Sequence, residues 1–376
     1  MTLRDIHFER TLVDKSIKTE PMSLSFGPLH PATRSGLRLA LELEGERISS
    51  ARSEIGFCHR GVEKEAEARD WAQIVPLMSR LNYYSPPIAE AGYCMAVEAL
   101  SNIEIPDRAV WLRMLYSELS RIADHLIAVS DVLIHCGMID ATQQLMEERE
   151  SIVRWFGKSC GSRIMSNVFT VGGCVRDLSN DARKLLPKRL KEITRATATV
   201  RNLIKENRLF ADRTHNMGVI SLEDACAWGI TGPNARASGM EYDVRRANPY
   251  YFYNDLEWNV VLGENGDTYD RVIVRLEEIS QSVHIIEQIL DRIPRGPIHT
   301  ESKIEDGSVY SSTEAANGEL GFLVVSDGSN KPYRLHIRAP SFPLAQIYPN
   351  LINGLNIGDA IVVLSSLHVV AGEVDR

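Results

Sequence analysis

The residues best suited to chemistry include a tyrosine pair in the first part of the chain. The segment Arg80-Leu81-Asn82-Tyr83-Tyr84 places a phenol near a guanidinium, directly before a Pro-Pro pair. A tyrosine hydroxyl is a neutral hydrogen-bond donor, so in an apolar slot Tyr83 could bind a carbonyl and deliver a proton as that carbonyl is reduced. The alternative is a core tyrosine whose hydroxyl is simply satisfied.

Two further segments combine turn residues with polar side chains. In Gly27-Pro28-Leu29-His30-Pro31 two prolines restrict the backbone, so His30 projects from a stiff turn, either into a site or to the surface. The segment 56–64 carries His59, Arg60 and Glu63. These groups could steer a redox partner or form an ordinary ion pair at the start of a helix. Charge-rich stretches at 147–150 and 236–246 suit buried ion pairs or a subunit interface equally well.

Strands and then helices must position these residues. Apolar residues alternate between about 23 and 55, which predicts strands joined by a turn at Gly45-Glu46. Beyond Glu63 the apolar period becomes helical. The clearest helix is predicted over 107–135 with Asp107 as its N-cap. Other helices are predicted over 142–160, 180–208, 270–293 and 351–367.

The remaining pattern predicts an α+β protein. Residues 218–261 indicate ordered irregular structure, 296–312 a polar surface loop, and 319–339 a hairpin around Asp327-Gly328-Ser329. The layout is then an N-terminal arm (1–21), a small β domain (22–62), a central helix bundle (63–295) and a C-terminal part (296–376). This last part holds the loop, the hairpin and a closing helix.

Composition excludes several classes of protein. The net charge of -8 gives no general attraction for nucleic acid, and no apolar run is long enough to span a bilayer. The six cysteines contain no CxxC pair, which argues against a thiolate-bound metal and for reduced thiols. The GxGxxG, GxxxxGK[ST], GxSxG and HExxH motifs are all missing. A dinucleotide-binding fold, a P-loop, an α/β hydrolase and a zinc protease therefore lose their main signatures.

Several segments occur together in the order and spacing of one family. They are Phe26-Gly-Pro-Leu-His-Pro, Ile55-Gly-Phe-Cys-His-Arg-Gly-Val-Glu-Lys, Ser117-Glu-Leu-Ser-Arg-Ile-Ala-Asp-His-Leu, Glu147-Glu-Arg-Glu, Arg236-Ala-Ser-Gly, Val325-Ser-Asp-Gly-Ser and Gly372-Glu-Val-Asp-Arg. From about residue 22 onward the chain resembles the quinone-binding D subunit, of the 49 kDa type, of respiratory complex I. That family is similar to the large subunit of nickel-iron hydrogenases, whose two CxxC motifs are missing here.

The resemblance implies a core subunit of a proton-translocating NADH:quinone oxidoreductase. It would bind no metal itself and would pack against a small iron-sulfur subunit that supplies a 4Fe-4S cluster. Quinone would enter between the two subunits. Other hydrophilic-arm and membrane-arm subunits would be partners. The chain would lie peripherally on the cytoplasmic face of a bacterial or archaeal membrane, or on the matrix face of the mitochondrial inner membrane.

The resemblance also assigns residues. Tyr83 corresponds to the tyrosine that hydrogen-bonds the quinone headgroup, and His30 and Arg34 correspond to further quinone-binding positions. His59, Arg60 and Glu63 are expected to shape the interface with the cluster subunit.

The chain departs from the family pattern at three positions. Arg34 replaces the second histidine of HPxxHG, His135 replaces the aspartate that pairs with that histidine, and Met165 replaces a histidine near the terminal cluster. Arginine keeps its proton near neutral pH, so we expect His135 to take over the donor role.

These departures leave alternatives open. The chain could be a non-catalytic scaffold of the same type of complex with a degenerate quinone site. A hydrogen- or sulfur-reducing enzyme with its own metal is the second alternative. The electron donor could be NADH, ferredoxin or a deazaflavin, and the acceptor could be any of several lipid-soluble carriers.

Overall fold

Alternating leucines build the first part of the fold, a three-stranded antiparallel sheet. The computed structural model describes residues 20–33, 36–301 and 303–376. The sheet has the order β1 (Pro21–Phe26), β2 (Arg38–Glu44) and β3 (Arg47–Glu54). Leu39, Leu41 and Leu43 are buried on one face of β2, as the two-residue period of a strand requires. The predicted strands and the turn at residues 45–46 are confirmed.

Helices form most of the rest of the described chain. They are α1 (Val62–Ala66), α2 (Trp71–Met78), α3 (Pro86–Leu100), α4 (Asp107–His135), α5 (Ile139–Cys160), α6 (Asn180–Glu206), α7 (Arg208–Thr214), α8 (Leu222–Ala227), α9 (Gly232–Ala237), α10 (Val244–Ala247), α11 (Thr268–Arg292), α12 (Ser341–Ile352), α13 (Ile357–Leu367) and α14 (Ala371–Val374). Short 3-10 turns occur at Pro31–Thr33 and Tyr253–Asp255. The four long helices α4, α5, α6 and α11 confirm the predictions to within a few residues at each end.

The long helix α4 lies at the centre of the main hydrophobic core. Helices α3, α5, α11 and α13 all pack against it, and nearly every side chain from Ala109 to Leu133 is buried. Its N-cap is Pro106, so the prediction of Asp107 as the cap is wrong. Asp107 instead occupies the first helical turn, where a negative charge still interacts favourably with the helix dipole.

Two small sheets complete the fold. Strands β4 (Phe169–Thr170) and β5 (Gly173–Cys174) pair with each other, and β6 (Asp306–Ala315), β7 (Gly318–Asp327) and β8 (Pro332–Arg338) form an antiparallel sheet in that order. The hairpin predicted over 319–339 is confirmed. The predicted surface loop over 296–312 is wrong from Asp306 onward, because β6 is an edge strand whose first half is polar and mostly exposed.

The end of the chain also differs from its prediction. Residues 351–367 do not form one helix: α12 ends at Ile352, and α13 begins at Ile357. Gly354 between them has a φ of 80°, a left-handed conformation that breaks a helix and that glycine adopts readily. Of the residues described, none belongs to a helix both long enough and apolar enough to cross a membrane.

The charge-rich stretch at 236–246 forms buried ion pairs. The Arg236 guanidinium contacts Glu278 at 2.7 Å and Glu314 at 2.8 Å. Arg245 contacts Asp243 at 2.7 Å and a carboxylate of α4 at 3.0 Å. This network ties α4, α9, α10, α11 and β6 together, so it fixes the bundle on which the candidate site is built.

Candidate functional site

A short turn between α2 and α3 carries Tyr83 and Tyr84. Asp124 on α4 holds this turn in place. Its carboxylate accepts hydrogen bonds from the Asn82 amide at 3.0 Å and from the Ser85 hydroxyl at 2.6 Å. The Asn82 side-chain oxygen in turn accepts from the backbone N–H of Tyr84 at 3.0 Å. Because Asp124 is fully buried, these bonds anchor the turn to the core.

The turn forms one wall of a mostly apolar groove. The rings of Tyr83 and Tyr84 meet edge to face, with centroids 4.7 Å apart. The groove is narrow, with a volume of about 20 Å³, and its other walls come from Pro86, Pro87, Ser120, Ala123, Arg149, Val153, Phe156, Arg163 and Ile164. Its half-buried phenols and two guanidiniums, beside apolar walls, supply hydrogen-bond donors for a carbonyl group.

A buried histidine at the end of α13 reaches the same turn. The Nε2 of His368 donates to Asp124 Oδ1 at 2.5 Å, and both side chains are fully buried. The imidazole also lies against Tyr84, with ring centroids 5.4 Å apart. His368 has a φ of 55°, a left-handed conformation that histidine tolerates better than most residues.

The segment after His368, the tail 369–376, packs under the tyrosine turn. A side-chain carbon at Gly372 would lie 2.6 Å from the carbonyl oxygens of Arg80 and Leu81, so only glycine allows this approach. The Arg80 carbonyl also accepts a hydrogen bond from Arg60 at 3.2 Å. The tail, the tyrosine turn and the Arg60 loop therefore meet at one place.

Asp375 joins the tail to the loop that follows β3. Its carboxylate accepts hydrogen bonds from the backbone N–H of Gly56 at 2.8 Å and of Cys58 at 2.7 Å. The Asp375 carbonyl lies 3.1 Å from Nδ1 of His59. These bonds hold the loop containing His59 and Arg60 beside the tyrosine turn.

The three residues predicted to face the cluster-bearing partner are not equally exposed. His59 and Arg60 are exposed, whereas Glu63 is engaged within the chain. Its carboxylate accepts from the backbone N–H of Ile337 at 2.8 Å and pairs with Arg334 at 3.0 Å. His59 and Glu63 both line an open groove of about 270 Å³ at the end of the tail.

His30 lies in the turn before the Pro31–Thr33 helix. It is exposed, its ring lies 4.2 Å from that of Phe26, and its Nδ1 accepts from the backbone N–H of Ala32 at 3.2 Å. Arg34 lies outside the described residues. A side-chain carbon at Gly36 would lie 2.4 Å from Cβ of Ala371, so this loop also touches the tail.

His135 is the last residue of α4. Its carbonyl accepts a hydrogen bond from Arg213, which pairs with Asp359 at the start of α13 at 3.1 Å. At 1.5 Å per residue, His135 lies about 16 Å along the helix from Asp124. The structure therefore assembles Tyr83, the His30 loop and the Arg60 loop around the tail, with His135 further along α4.

Charge is unevenly distributed beneath the turn. Burial alone would keep Asp124 protonated, but the His368 imidazole and the hydrogen bonds from the turn lower the pKa of that carboxyl to about 2. Glu373 in the tail shows the opposite effect. Burial raises its pKa to about 7, and the negative charge of Asp124 adds to this, against a hydrogen bond from Ser341. A carboxyl whose pKa lies near 7 and an ionised carboxylate bonded to His368 thus lie close together under the tyrosines.

Metal ligands do not cluster in the described ranges. Among residues 20–33, 36–301 and 303–376 there is no group of three or more His, Cys, Asp or Glu side chains that could hold a metal ion. The six cysteines are free thiols.

Sequence reasoning missed the residues that support the turn. Asp124, Glu373 and Asp375 lie within segments that carry the family resemblance, but the sequence assigns them no role, and His368 lies in no such segment. Asp124 and His368 are separated by 244 residues, so no local pattern pairs them. The available signal was a charged residue inside a long helix with an apolar stripe, since a charge that becomes buried there needs a partner.

Comparisons with known proteins identify the type of protein. Residues 135–305 and 299–376 match the family model of the respiratory-chain NADH dehydrogenase 49 kDa subunit. Among relatives, a D subunit of the NADH-quinone oxidoreductase of Cytophaga hutchinsonii is 40% identical, over 94% of this chain and 98% of the relative. The D subunit of Myxococcus xanthus is 37% identical, over 99% and 97%, and that of Clostridium beijerinckii is 38% identical, over 96% and 99%.

The chain therefore belongs to the family of the 49 kDa, or D, subunit of respiratory-chain NADH dehydrogenase. This confirms the predicted resemblance, and the mixed helix-and-sheet fold agrees with the predicted class. The likeness to hydrogenase large subunits, the domain boundaries and the roles of the site residues stay predictions.

Proposed function

We propose that this chain is a core subunit of a complex I-type NADH:quinone oxidoreductase and contributes the site at which quinone is reduced. Its relatives are named as subunits of NADH-quinone oxidoreductases. The observation that carries the proposal is the position of Tyr83. The residue expected to bind the quinone headgroup lies in an anchored turn at the edge of an apolar groove.

The chemistry requires two electrons and two protons for each quinone. Electrons would arrive one at a time from the 4Fe-4S cluster of the iron-sulfur partner, and the quinone oxygens would each take a proton to give the quinol. The Tyr83 hydroxyl would donate a hydrogen bond to one carbonyl and pass its proton as that oxygen becomes negative. His30 and Arg34 would contact the headgroup, and His135 would be a second proton donor.

The iron-sulfur partner would bind beside the tail. His59 and Arg60 are exposed next to the groove of about 270 Å³, and the exposed ring of Phe57 precedes them. We propose that this surface, with Glu63 fixing its β8 side, contacts the cluster subunit. Other hydrophilic-arm and membrane-arm subunits would complete the complex, which would couple quinone reduction to proton translocation from the cytoplasmic or matrix face of the membrane.

The decisive experiment replaces Tyr83 by Phe in the assembled complex. The ring remains and only the hydroxyl is lost, so assembly should be unchanged. Quinone reductase turnover should fall at least tenfold, because one positioned proton donor typically contributes about 10²- to 10⁴-fold. Electron transfer from NADH to an artificial acceptor upstream of the site is the control. Unchanged quinone turnover would favour the scaffold alternative.

A second experiment tests His135. Replacement by Ala should lower quinone turnover while the complex still assembles, because the side chain would be a proton donor. Arg213, which bonds the His135 backbone carbonyl, offers a matched comparison. Replacing Arg213 should affect stability more than turnover. Full turnover in the His135 variant would remove this residue from the proposed mechanism.

A further inference from the structure

The pair formed by His368 and Asp124 has no assigned role, although it lies directly behind the tyrosines. Asp124 has three hydrogen-bonding partners: His368 Nε2 at 2.5 Å, Ser85 Oγ at 2.6 Å and Asn82 Nδ2 at 3.0 Å. Two of these partners belong to the turn that carries Tyr83. The carboxylate therefore bonds the end of α13 and the tyrosine turn at the same time.

The His368 ring makes the second connection. Its centroid lies 5.4 Å from the Tyr84 ring, and the Tyr84 ring lies 4.7 Å from the Tyr83 ring. Three aromatic rings thus follow one another from the buried core to the groove. Aromatic contacts of this kind fix the relative orientation of their members, and a fully buried ring at one end leaves the other two little freedom to shift.

We propose that His368 is a positioning residue for Tyr83: held by Asp124, it sets through Tyr84 the orientation in which the Tyr83 hydroxyl meets the substrate carbonyl. This inference rests on the proposed function of Tyr83. His368 makes no contact with substrate in this scheme. Its effect on turnover arises because a small displacement of a proton donor has a large effect on rate.

A neighbouring histidine provides a matched control. His125 follows Asp124 on α4, is equally buried, and bonds a carboxylate, Glu278, at 2.9 Å. That carboxylate belongs to α11 and to the Arg236 network. His125 and His368 are thus alike in burial and in having an acidic partner, but only the partner of His368 also bonds the tyrosine turn.

The test measures quinone turnover per assembled complex in four variants. His368→Gln keeps an amide donor at about the reach of Nε2 but removes the ring, and Tyr84→Leu removes the intervening ring. Both should lower kcat roughly tenfold or more, with a smaller change in quinone KM. Tyr84→Phe keeps the ring and should lower turnover less than Tyr84→Leu does. His125→Gln should retain turnover per complex, even if it reduces the yield of complex.

A double variant separates positioning from a direct effect. If His368 acts through Tyr83, His368→Gln should cause less than a twofold further loss in a Tyr83→Phe background. A full further loss in that background would overturn the proposal. If His368→Gln fails to assemble, Tyr84→Leu decides, because Tyr84 is only half-buried.

The outcomes distinguish this inference from the proposed function. Unchanged turnover in Tyr83→Phe refutes the proposed function itself. Lost turnover in Tyr83→Phe, with normal turnover in His368→Gln and Tyr84→Leu, refutes only the positioning role. Equal losses in His368→Gln and His125→Gln would also refute it, because they would indicate a general need for buried histidines.

Discussion

The buried ion-pair network around Arg236 allows a quantitative test of how the bundle is held together. Replacing Arg236 by Met removes the cation and keeps an unbranched side chain that replaces the aliphatic part of the arginine. Glu278 at 2.7 Å and Glu314 at 2.8 Å then lose the guanidinium that pairs with them. Both are almost completely buried, with 4% and 0% of their side chains exposed, so water cannot replace the guanidinium.

The expected cost follows from this burial. Removing one partner of a buried ion pair typically destabilises a protein by about 3–5 kcal/mol. For 376 residues, the unfolding entropy is about 0.8 kcal/mol per kelvin, so the melting temperature should fall by about 4–6 °C. The exposed guanidinium of Arg246, which lies 4.4 Å from the Trp258 ring, is the control. Arg246→Met should cost less than about 1 kcal/mol.

The pH dependence makes the test specific. In the native chain burial opposes ionisation of Glu278, but Arg236 and the hydrogen bond from His125 hold its pKa well below the usual range. Such a group stabilises the fold above its unfolded pKa of about 4.3, and this contribution is lost as pH falls below that value. In the variant, burial without the guanidinium should instead raise the pKa of this carboxyl above its unfolded value, so the variant loses stability as pH rises above about 4.3. It should therefore be most destabilised relative to the native chain at neutral pH, and the deficit should shrink toward about pH 4.

The assay is thermal unfolding of the purified chain, followed by circular dichroism between pH 4 and 8. Two results would refute the reasoning. One is a shift in melting temperature no larger than that of Arg246→Met. The other is a deficit that stays constant across the pH range, which would mean that lost packing, and not unpaired charge, dominates.

Three further predictions concern the tail and the thiols. Because burial raises the pKa of Glu373 to about 7, the free energy of unfolding of the native chain should fall as pH rises from about 4.5 to 7. Glu373→Gln lacks this group, so its free energy of unfolding, measured in urea, should rise relative to that of the native chain by about 3 kcal/mol between pH 5 and pH 8. Gly372→Ala should destabilise by about 1–3 kcal/mol and lower quinone turnover, because its methyl group would meet two carbonyl oxygens at 2.6 Å. Mass spectrometry after brief alkylation should find Cys226 modified and Cys94 and Cys174 protected, because Cys226 is exposed while burial raises the pKa of the other two thiols.

The sequence predicts those parts of the fold whose pattern repeats over many residues. The leucine alternation of β2 and the apolar stripe of α4 extend over whole elements, so their periods are unambiguous. The first half of β6 is polar and exposed, and its strand character comes from pairing with β7, which no local pattern encodes. The break between α12 and α13 depends on Gly354, a single residue within an otherwise apolar region.

Part of the candidate site is also predictable from the sequence. Tyr83, His30 and the loop with His59 and Arg60 lie in compact motifs, so their residue types can be read directly. The residues that hold these motifs in place cannot be identified from the sequence in this way. Asp124 meets His368 across 244 residues, and only the folded chain reveals that a charge in α4 and a histidine after α13 belong together.

The bond between Gly56 and Asp375 has a consequence for how the protein is made. These residues are separated by 319 positions, so the loop with His59 and Arg60 cannot be fixed until synthesis has passed Asp375. At a translation rate of about 5–20 residues per second, the tyrosine turn would wait roughly 15 to 60 seconds for the tail that supports it. During that time α4 and the helices next to it in sequence, α3 and α5, would already have been synthesised. Docking of the tail would then complete the surface around His59 and Arg60, so a partner that recognises this surface would bind only chains in which Asp375 has docked.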